Sequence, residues 1–188
     1  MYLVNYLASL LLVFSLFGEI DVTQSTEVED NTPPKQKTIE IIGIDKMKFA
    51  VNKNAADVVV GEPISTADGK RYLELQAIKV EPGTRLTVKL ISKSELPPKS
   101  MSHNWVLLKQ ESDRAEFDKA AVLAVENNYI PPQKEDEVIA NTGLAAGGET
   151  ASATFQVPEK QGMYDYLCSF PGHFANGMRG KLIVQEQM

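Results

Sequence analysis

The sequence YDYLCSFPGHFANGMRGKLIVQ (164–185) holds the only cysteine of the chain, one of its two histidines and a methionine at short, regular spacing. Cys168, His173 and Met178 form the pattern C-x4-H-x4-M. The residues on either side are typical of β-strands, and the Pro-Gly pair between them favours a turn. The segment therefore predicts two neighbouring strands, joined by a loop that can aim three side chains at one point.

The chemistry of these side chains points to a copper site. The other histidine, His103, lies earlier in the chain, in MSHNWVLLK (101–109). Two imidazoles and a thiolate in one plane, with a long axial methionine, form the site of a blue-copper electron-transfer protein. Thiolate is soft, imidazole is intermediate and thioether suits the reduced ion, so this set accepts copper in both oxidation states. Zinc would also accept such donors, although cupric copper binds them more tightly.

Composition and charge limit the other classes of function. The 188 residues are 43% hydrophobic, which fits one globular domain. A net charge of −6 without any basic run excludes a general nucleic-acid binder and favours encounter with a basic partner. A single cysteine excludes an intramolecular disulfide and a four-cysteine metal site. A copper oxidase or nitrite reductase would need histidines for a second copper, and this chain has only two.

The first part of the chain is expected to lie outside the folded domain. Residues 1–18 are apolar and carry no charged side chain. We expect an export signal, either removed or kept as a membrane anchor, and hence a location in the periplasm or elsewhere outside the cytoplasm. A buried first element of the domain is the alternative. Residues 19–37 are polar, with five acids and a proline pair, and predict a flexible linker.

From Thr38 onward the sequence predicts an all-β domain, 38–188. Short segments rich in β-branched residues, punctuated by Gly and Pro turns, are typical of a sandwich or barrel. These segments are 38–44, 72–80, 85–92, 102–109, 151–157, 163–168 and 178–184. One helix is predicted over 112–127, with Ser112 as its N-cap and Asp113 at the positive end of the helix dipole. Residues 52–70 predict either a long loop or an extra hairpin.

MSHNWVLLK and YLCSFPGHFANGM resemble the matching segments of the cupredoxins, and among them those of azurin and the auracyanins. The resemblance extends over roughly residues 38–185. It implies a Greek-key β-sandwich or barrel with one short helical flap. It also implies one type 1 copper ion and a function in electron transfer rather than enzymatic catalysis.

The resemblance further implies roles for individual residues. Four side chains would ligate copper, three of them equatorial and the last weak and axial: His103, Cys168, His173 and Met178. Asn104 would hydrogen-bond across the site and hold the ligand loops together. Independently of the resemblance, the position of Phe170 close to Cys168 predicts that it shields the metal from water. Azurin has a glycine before the first histidine, whose carbonyl lies near copper. Ser102 stands at that position here, and the resemblance leaves open whether its carbonyl contacts the metal.

The resemblance also predicts how the protein meets its partners. An exposed edge of His173 would be surrounded by an apolar docking patch, formed by Met101, Pro171, Phe174 and Ala175. The partners would be transient redox proteins, such as a membrane respiratory or photosynthetic complex or a cytochrome, and we expect a monomer. Copper storage or delivery without electron transfer is the alternative function. A rigid strand–loop–strand cage favours the electron carrier, because delivery needs an exchangeable site.

Overall fold

The computed structural model of the protein describes residues 35–186. The predicted export signal or anchor, and the linker up to residue 34, lie outside these residues. The first strand begins at Gln36, two residues before the start expected at Thr38. No helix between residues 35 and 186 has both the length and the apolar character to cross a membrane.

The described residues form twelve strands, one α-helix and two short 3₁₀ helices. The strands are β1 (Gln36–Ile44), β2 (Lys48–Val51), β3 (Val58–Ser65), β4 (Arg71–Val80), β5 (Arg85–Lys93), β6 (Ser102–His103), β7 (Val106–Leu108), β8 (Val138–Asn141), β9 (Ala145–Ala146), β10 (Thr150–Gln156), β11 (Gly162–Leu167) and β12 (Arg179–Val184). The helix α1 is Arg114–Ala121, and the 3₁₀ helices are Val125–Asn127 and Pro132–Glu137.

Ten of the strands form one sheet that curls into a nearly closed barrel. Its order is β10-β5-β1-β2-β4-β12-β11-β7-β8, with β3 paired to β4. The pairs β1–β5 and β4–β12 are parallel and the others are antiparallel, whereas β6 and β9 form a separate two-stranded sheet. The expectation of an all-β barrel or sandwich with one short helix is confirmed.

Alternating side chains on the strands build the core. In β5, Leu86, Val88 and Leu90 are buried, while Arg85, Lys89 and Lys93 on the alternate positions are exposed. This period of two places one face of the sheet inward and the other in water. The inward residues pack around large side chains that are fully buried, among them Phe49, Leu75, Ile78, Trp105 and Tyr166.

The helix differs from its prediction at both ends. Its N-cap is Asp113 and not Ser112, because the Asp113 carboxylate accepts hydrogen bonds from the backbone N–H groups of Ala115 and Glu116 at 2.8 and 3.2 Å. The helix ends at Ala121 rather than Asn127. The chain then passes through a 3₁₀ turn and two consecutive residues with positive φ, Asn128 (52°) and Tyr129 (61°), which no α-helix tolerates.

The undecided segment 52–70 forms a hairpin arm rather than a long loop. Within it, β3 pairs antiparallel with β4, from Val58 opposite Ile78 to Ser65 opposite Arg71. Register shifts interrupt this pairing near Val60, which explains why the strand shows no regular alternation in the sequence. Strands β2 and β8 were not predicted, since each has only four residues.

Candidate metal centre

The loop between β11 and β12 places three of the predicted ligands. Cys168 follows the last residue of β11, and Met178 precedes the first residue of β12. Backbone hydrogen bonds fold the loop on itself: Cys168 N–H donates to the Met178 carbonyl at 3.0 Å, and Met178 N–H donates to the His173 carbonyl at 2.9 Å. Gly172 and Gly177 take φ values of 82° and 89°, which only glycine adopts easily. Hydrogen bonds within the loop and two glycines with positive φ thus define its shape.

His103 reaches the same place from another part of the fold. It lies on β6, where Ser102 and His103 pair with Ala146 and Ala145 of β9. Its ring lies directly against the backbone of Gly43 in β1, because a Cβ added at Gly43 would be 2.6 Å from the His103 Cδ2 atom. The ring is therefore held between two sheets and is 0% exposed.

The donor atoms converge in a closed pocket. Nδ1 of His173 lies 3.3 Å from Cys168 Sγ and 3.3 Å from Nδ1 of His103. One ligand atom from each of the three residues lies within 4.8 Å of the others, and no second group of three His, Cys, Asp or Glu converges in this way within residues 35–186. Donors this far apart suit an ion bonded to each at about 2 Å.

Met178 completes the donor set. Its side chain is 0% exposed and belongs to the apolar cluster that includes Cys168 and Phe170. A thioether beside two imidazoles and one thiolate is the combination selected by copper that cycles between two oxidation states. The residues present therefore fit one copper ion.

Burial sets the protonation states of these ligands. It lowers the pKa of His103 to about 3, helped by repulsion from His173, and it lowers the pKa of His173 to about 4. Both rings are thus neutral at pH 7 and keep a lone pair for a metal. Burial raises the pKa of the Cys168 thiol to about 12, so the thiol keeps its proton until a metal ion displaces it.

Asn104 links three segments around the pocket. Its side-chain amide donates to Ser169 Oγ at 2.8 Å and to the Asn128 carbonyl at 3.2 Å, and its carbonyl oxygen accepts from the Ser169 N–H at 2.8 Å. Asn104, which follows His103, is thus hydrogen-bonded both to Ser169, which follows Cys168, and to Asn128 at the end of the helical segment. Ser169 is fully buried, and its role was not predicted. The only signal in the sequence was that a polar residue stands between Cys168 and Phe170.

Phe170 and Ser102, the other two residues with an expected role at the site, lie next to ligands. Phe170 is 6% exposed, and its ring centroid lies 4.8 Å from that of His173. Ser102 is held by its pairing with Ala146, and its hydroxyl donates to the Pro98 carbonyl at 2.8 Å. The strand pairing of its backbone and the hydrogen bond of its side chain therefore hold Ser102 in place next to His103.

The expected exposure around His173 is wrong. The His173 ring is 1% exposed, and Met101 and Phe174 are also buried, at 4% and 8%. Phe174 packs in a cluster with Phe117 of α1, and the guanidinium of Arg179 lies 4.9 Å from the centre of its ring. Of the four residues predicted to form a docking patch, only Pro171, half-buried, and Ala175, exposed, face solvent.

Known proteins resemble this chain in both sequence and fold. The model of the copper binding proteins of the plastocyanin/azurin family matches residues 62–185. Azurin-1 of Alcaligenes xylosoxydans xylosoxydans is 36% identical over 115 residues, which are 60% of this chain and 88% of azurin-1. Auracyanin-A of Chloroflexus aurantiacus is 34% identical over 128 residues, which are 65% of this chain and 75% of auracyanin-A.

The solved structures agree with this similarity. The structure of auracyanin A, described as a "blue" copper protein from the same bacterium, superposes on this chain with a TM-score of 0.57 and is 28% identical to it in sequence. The superposition covers 80% of this chain and 99% of the auracyanin A chain. The family match covers both ligand segments, from His103 to Met178. By its sequence, its barrel and its donor set, the chain belongs to the plastocyanin/azurin family of copper binding proteins.

Proposed function

We propose that this protein is a type 1 (blue) copper electron carrier, which takes a single electron from one redox partner and gives it to another. The observation that carries the proposal is the convergence of the Nδ1 atoms of His103 and His173 with Cys168 Sγ in a pocket closed to solvent. Copper bound there supplies a one-electron couple.

The chain itself supplies rigidity and exclusion of water. The hydrogen bonds within the loop and through Asn104 hold the ligands in one arrangement, so that a change of oxidation state requires little movement. Small reorganisation favours fast outer-sphere electron transfer. The pocket is also closed, whereas catalytic metal sites keep an open position for substrate.

Each residue near the pocket receives a role in this proposal. His103, Cys168 and His173 would supply the three strong donors to copper, and Met178 would supply a weak fourth one. Two neighbours act on these ligands: Asn104 positions the Cys168 loop, and Phe170 excludes water. Hydrogen bonds and burial around the sulfur then tune the reduction potential.

Copper storage or delivery fits the structure less well than electron transfer. A delivery site must release its ion to a partner, which needs an exposed ligand. His103, Cys168 and His173 are 0%, 0% and 1% exposed, so an acceptor cannot reach them without local unfolding. We expect a strong chelator to remove copper slowly, over hours, and rapid loss within the mixing time would favour delivery.

One visible-absorption spectrum tests the proposed function. Copper-loaded protein should show an intense band near the red end of the visible range, which a mild reductant bleaches and an oxidant restores. Cys168→Ser should remove this band, because the thiolate-to-copper transition is lost, while Met163→Leu in β11, the strand that leads to Cys168, should keep it. A colourless protein that nevertheless holds one cupric ion would overturn the proposal.

We further propose that the protein works outside the cytoplasm, with residues 1–18 as an export signal or membrane tether and residues 19–37 as a linker. Its partners would be a membrane respiratory or photosynthetic complex or a cytochrome, and it would act as a monomer. Cell fractionation and N-terminal sequencing of the mature protein test this assignment. Protein found in the cytoplasm with an intact N-terminus would contradict it.

A further inference from the structure

An exposed apolar cluster follows the helix α1. We call Val122, Leu123 and Val125 the flap tip; their exposed fractions are 43%, 87% and 56%. Ala124 between them is buried at 8% and anchors the turn. Three neighbouring aliphatic side chains in water are unfavourable for an isolated protein, and such groups mark contact sites.

The flap tip is connected to the copper pocket by packed side chains. Phe117 and Ala121 of α1 pack in one cluster with Phe174, the residue that follows His173. A few residues beyond the tip, the half-buried Tyr129 ring packs edge-on against Phe170, with centroids 5.1 Å apart. Phe170 in turn lies 4.8 Å from His173. Because His173 itself is covered, Phe170 and Tyr129 form a short packed route from this ligand toward the surface.

The charge of the molecule is concentrated on the same segment. Residues 111–137, which we call the flap, contain eight acids and three bases, a net charge of −5, whereas the rest of the chain has a net charge of −1. All three bases are in ion pairs: Arg114 with Asp165 at 2.5 Å, Lys134 with Glu137 at 2.6 Å and Lys119 with Glu116 at 3.8 Å. The exposed carboxylates of the flap are Glu111, Asp113, Glu116, Glu126, Glu135 and Asp136.

We propose that the flap tip is the docking surface for a basic redox protein, with an electron path through Tyr129 and Phe170 to His173. The partner would present a small apolar patch ringed by Lys and Arg. A second copy of this chain is a poor occupant, because two flaps of net charge −5 repel each other. The acidic field would speed encounter, and a small apolar contact would permit rapid release. This inference rests on the proposed electron-carrier function.

Stopped-flow kinetics with a lysine-rich c-type cytochrome test the apolar contact. In each reaction the reduced copper protein loses one electron and the ferric haem gains it. We compare the double variant Leu123→Ser/Val125→Ser with the control Leu96→Ser/Met163→Ser, which alters two exposed apolar residues elsewhere. The flap variant should lower the second-order rate constant about tenfold, and the control should stay within about twofold of the parent.

A matched pair of charge variants tests the electrostatic part. Glu126→Gln/Asp136→Asn removes two flap carboxylates, and Glu62→Gln/Glu159→Gln removes two exposed carboxylates elsewhere. The flap pair should flatten the fall of the rate with ionic strength more than the control pair, because only the flap charges lie at the contact. An equal effect of both pairs would overturn the placement of the partner on the flap.

The electron path has its own variants. Tyr129→Phe keeps the aromatic ring against Phe170, and Tyr129→Leu removes it. At saturating cytochrome, the first-order rate should fall in the leucine variant and be preserved in the phenylalanine variant, with the visible spectrum of both unchanged. Equal rates in the two variants would overturn the path.

A small cobalt(III) tris-phenanthroline oxidant separates the failure of the docking site from the failure of the function. If this reagent does not take one electron from the reduced copper protein, the proposed function itself fails. If the reagent oxidises the protein but the flap-tip variant reacts with the cytochrome at the parent rate, or if the parent reaction shows no dependence on salt, the docking proposal alone fails.

Discussion

At the scale of single residues, Gly43 shows how a ligand depends on a residue with no donor atom. Its Cβ position is filled by the His103 ring, with contacts of 2.6 and 2.8 Å to Cδ2 and Cγ. Such distances are far below van der Waals contact, and the ring is confined on its other sides by the core. The position of His103 therefore requires glycine for steric reasons.

We expect Gly43→Ala to displace the His103 ring and to destabilise the protein by about 1–3 kcal/mol, the usual cost of overpacking a core. Copper affinity should fall and the visible band should weaken or shift. Thermal unfolding and copper titration check this outcome. Gly61→Ala is a suitable control, since the added methyl group would meet only the movable ends of Gln76 and Glu74. An unchanged copper site in Gly43→Ala would refute the steric role.

The axial position gives a second prediction at this scale. Met178→Leu keeps the volume and apolar character of a fully buried side chain but removes its sulfur. Copper should stay bound, and the reduction potential should rise, because a donor that stabilises the oxidised ion is lost. Voltammetry on this variant and on Met163→Leu, an exposed methionine, measures the difference. Equal potentials would show that Met178 is not an axial ligand.

At the scale of elements, the N-cap of α1 is Asp113, whereas the sequence predicted the preceding residue, Ser112. The Glu116 and Ala115 N–H groups hydrogen-bond to Asp113 and lower the pKa of its carboxyl group. The Ser112 hydroxyl is buried and has no hydrogen-bond partner. Only one of these two adjacent residues therefore caps the helix.

Asp113→Ala should lower the unfolding temperature at pH 7, and Ser112→Ala should not, because it removes no hydrogen bond. A carboxylate whose folded pKa is depressed stabilises the protein above its unfolded pKa, and this contribution is lost as the pH falls through the folded pKa. The difference between Asp113→Ala and the parent should thus disappear in strong acid. Calorimetry over a pH series measures it, and equal losses in both variants would contradict the assignment.

The longer strands were predictable from the sequence because side-chain alternation is a local property. β5 shows the alternation clearly, and β11 and β12 flank the ligand loop as expected. The helix was predicted too long because alanines continue its apolar period to Ala124, whereas the backbone leaves the α-helix after Ala121. Nothing local reports the positive φ of Tyr129, a residue type that rarely adopts it.

The candidate site was predictable to a similar degree. With one cysteine and two histidines, the sequence was enough to identify the three donors that converge. The contact of Gly43 with His103 joins residues far apart in the chain, so it could not be read from either segment. The burial of His173 was missed for the same reason, since it depends on how Phe170 and Phe174 pack against the helical segment.

At the scale of the whole molecule, metal binding is coupled to the release of a proton. His103 and His173 have pKa values of about 3 and about 4 and are already neutral at pH 7, while the Cys168 thiol, with a pKa of about 12, is not ionised. Binding of one copper ion at pH 7 should therefore release about one proton. Affinity should rise about tenfold per pH unit between the histidine and thiol pKa values.

A pH indicator in weakly buffered solution counts these protons during titration with cupric ion. Zinc should release the same number, since it requires the same thiolate. Uptake of copper without proton release would show that the thiol is ionised beforehand. Release of two or more protons would show that a histidine is charged in the metal-free protein.

The cover over His173 has a consequence for the molecule in a crowded compartment. Electron tunnelling weakens steeply with distance, and the His173 ring, 1% exposed, is out of contact with solvent. A stray oxidant such as dioxygen, or another copy of the protein met by chance, is thus separated from the redox centre by a layer of side chains. Away from the proposed path through Tyr129 and Phe170, the packing that hides the imidazole acts as electrical insulation, and its thickness limits the loss of electrons to the wrong acceptor.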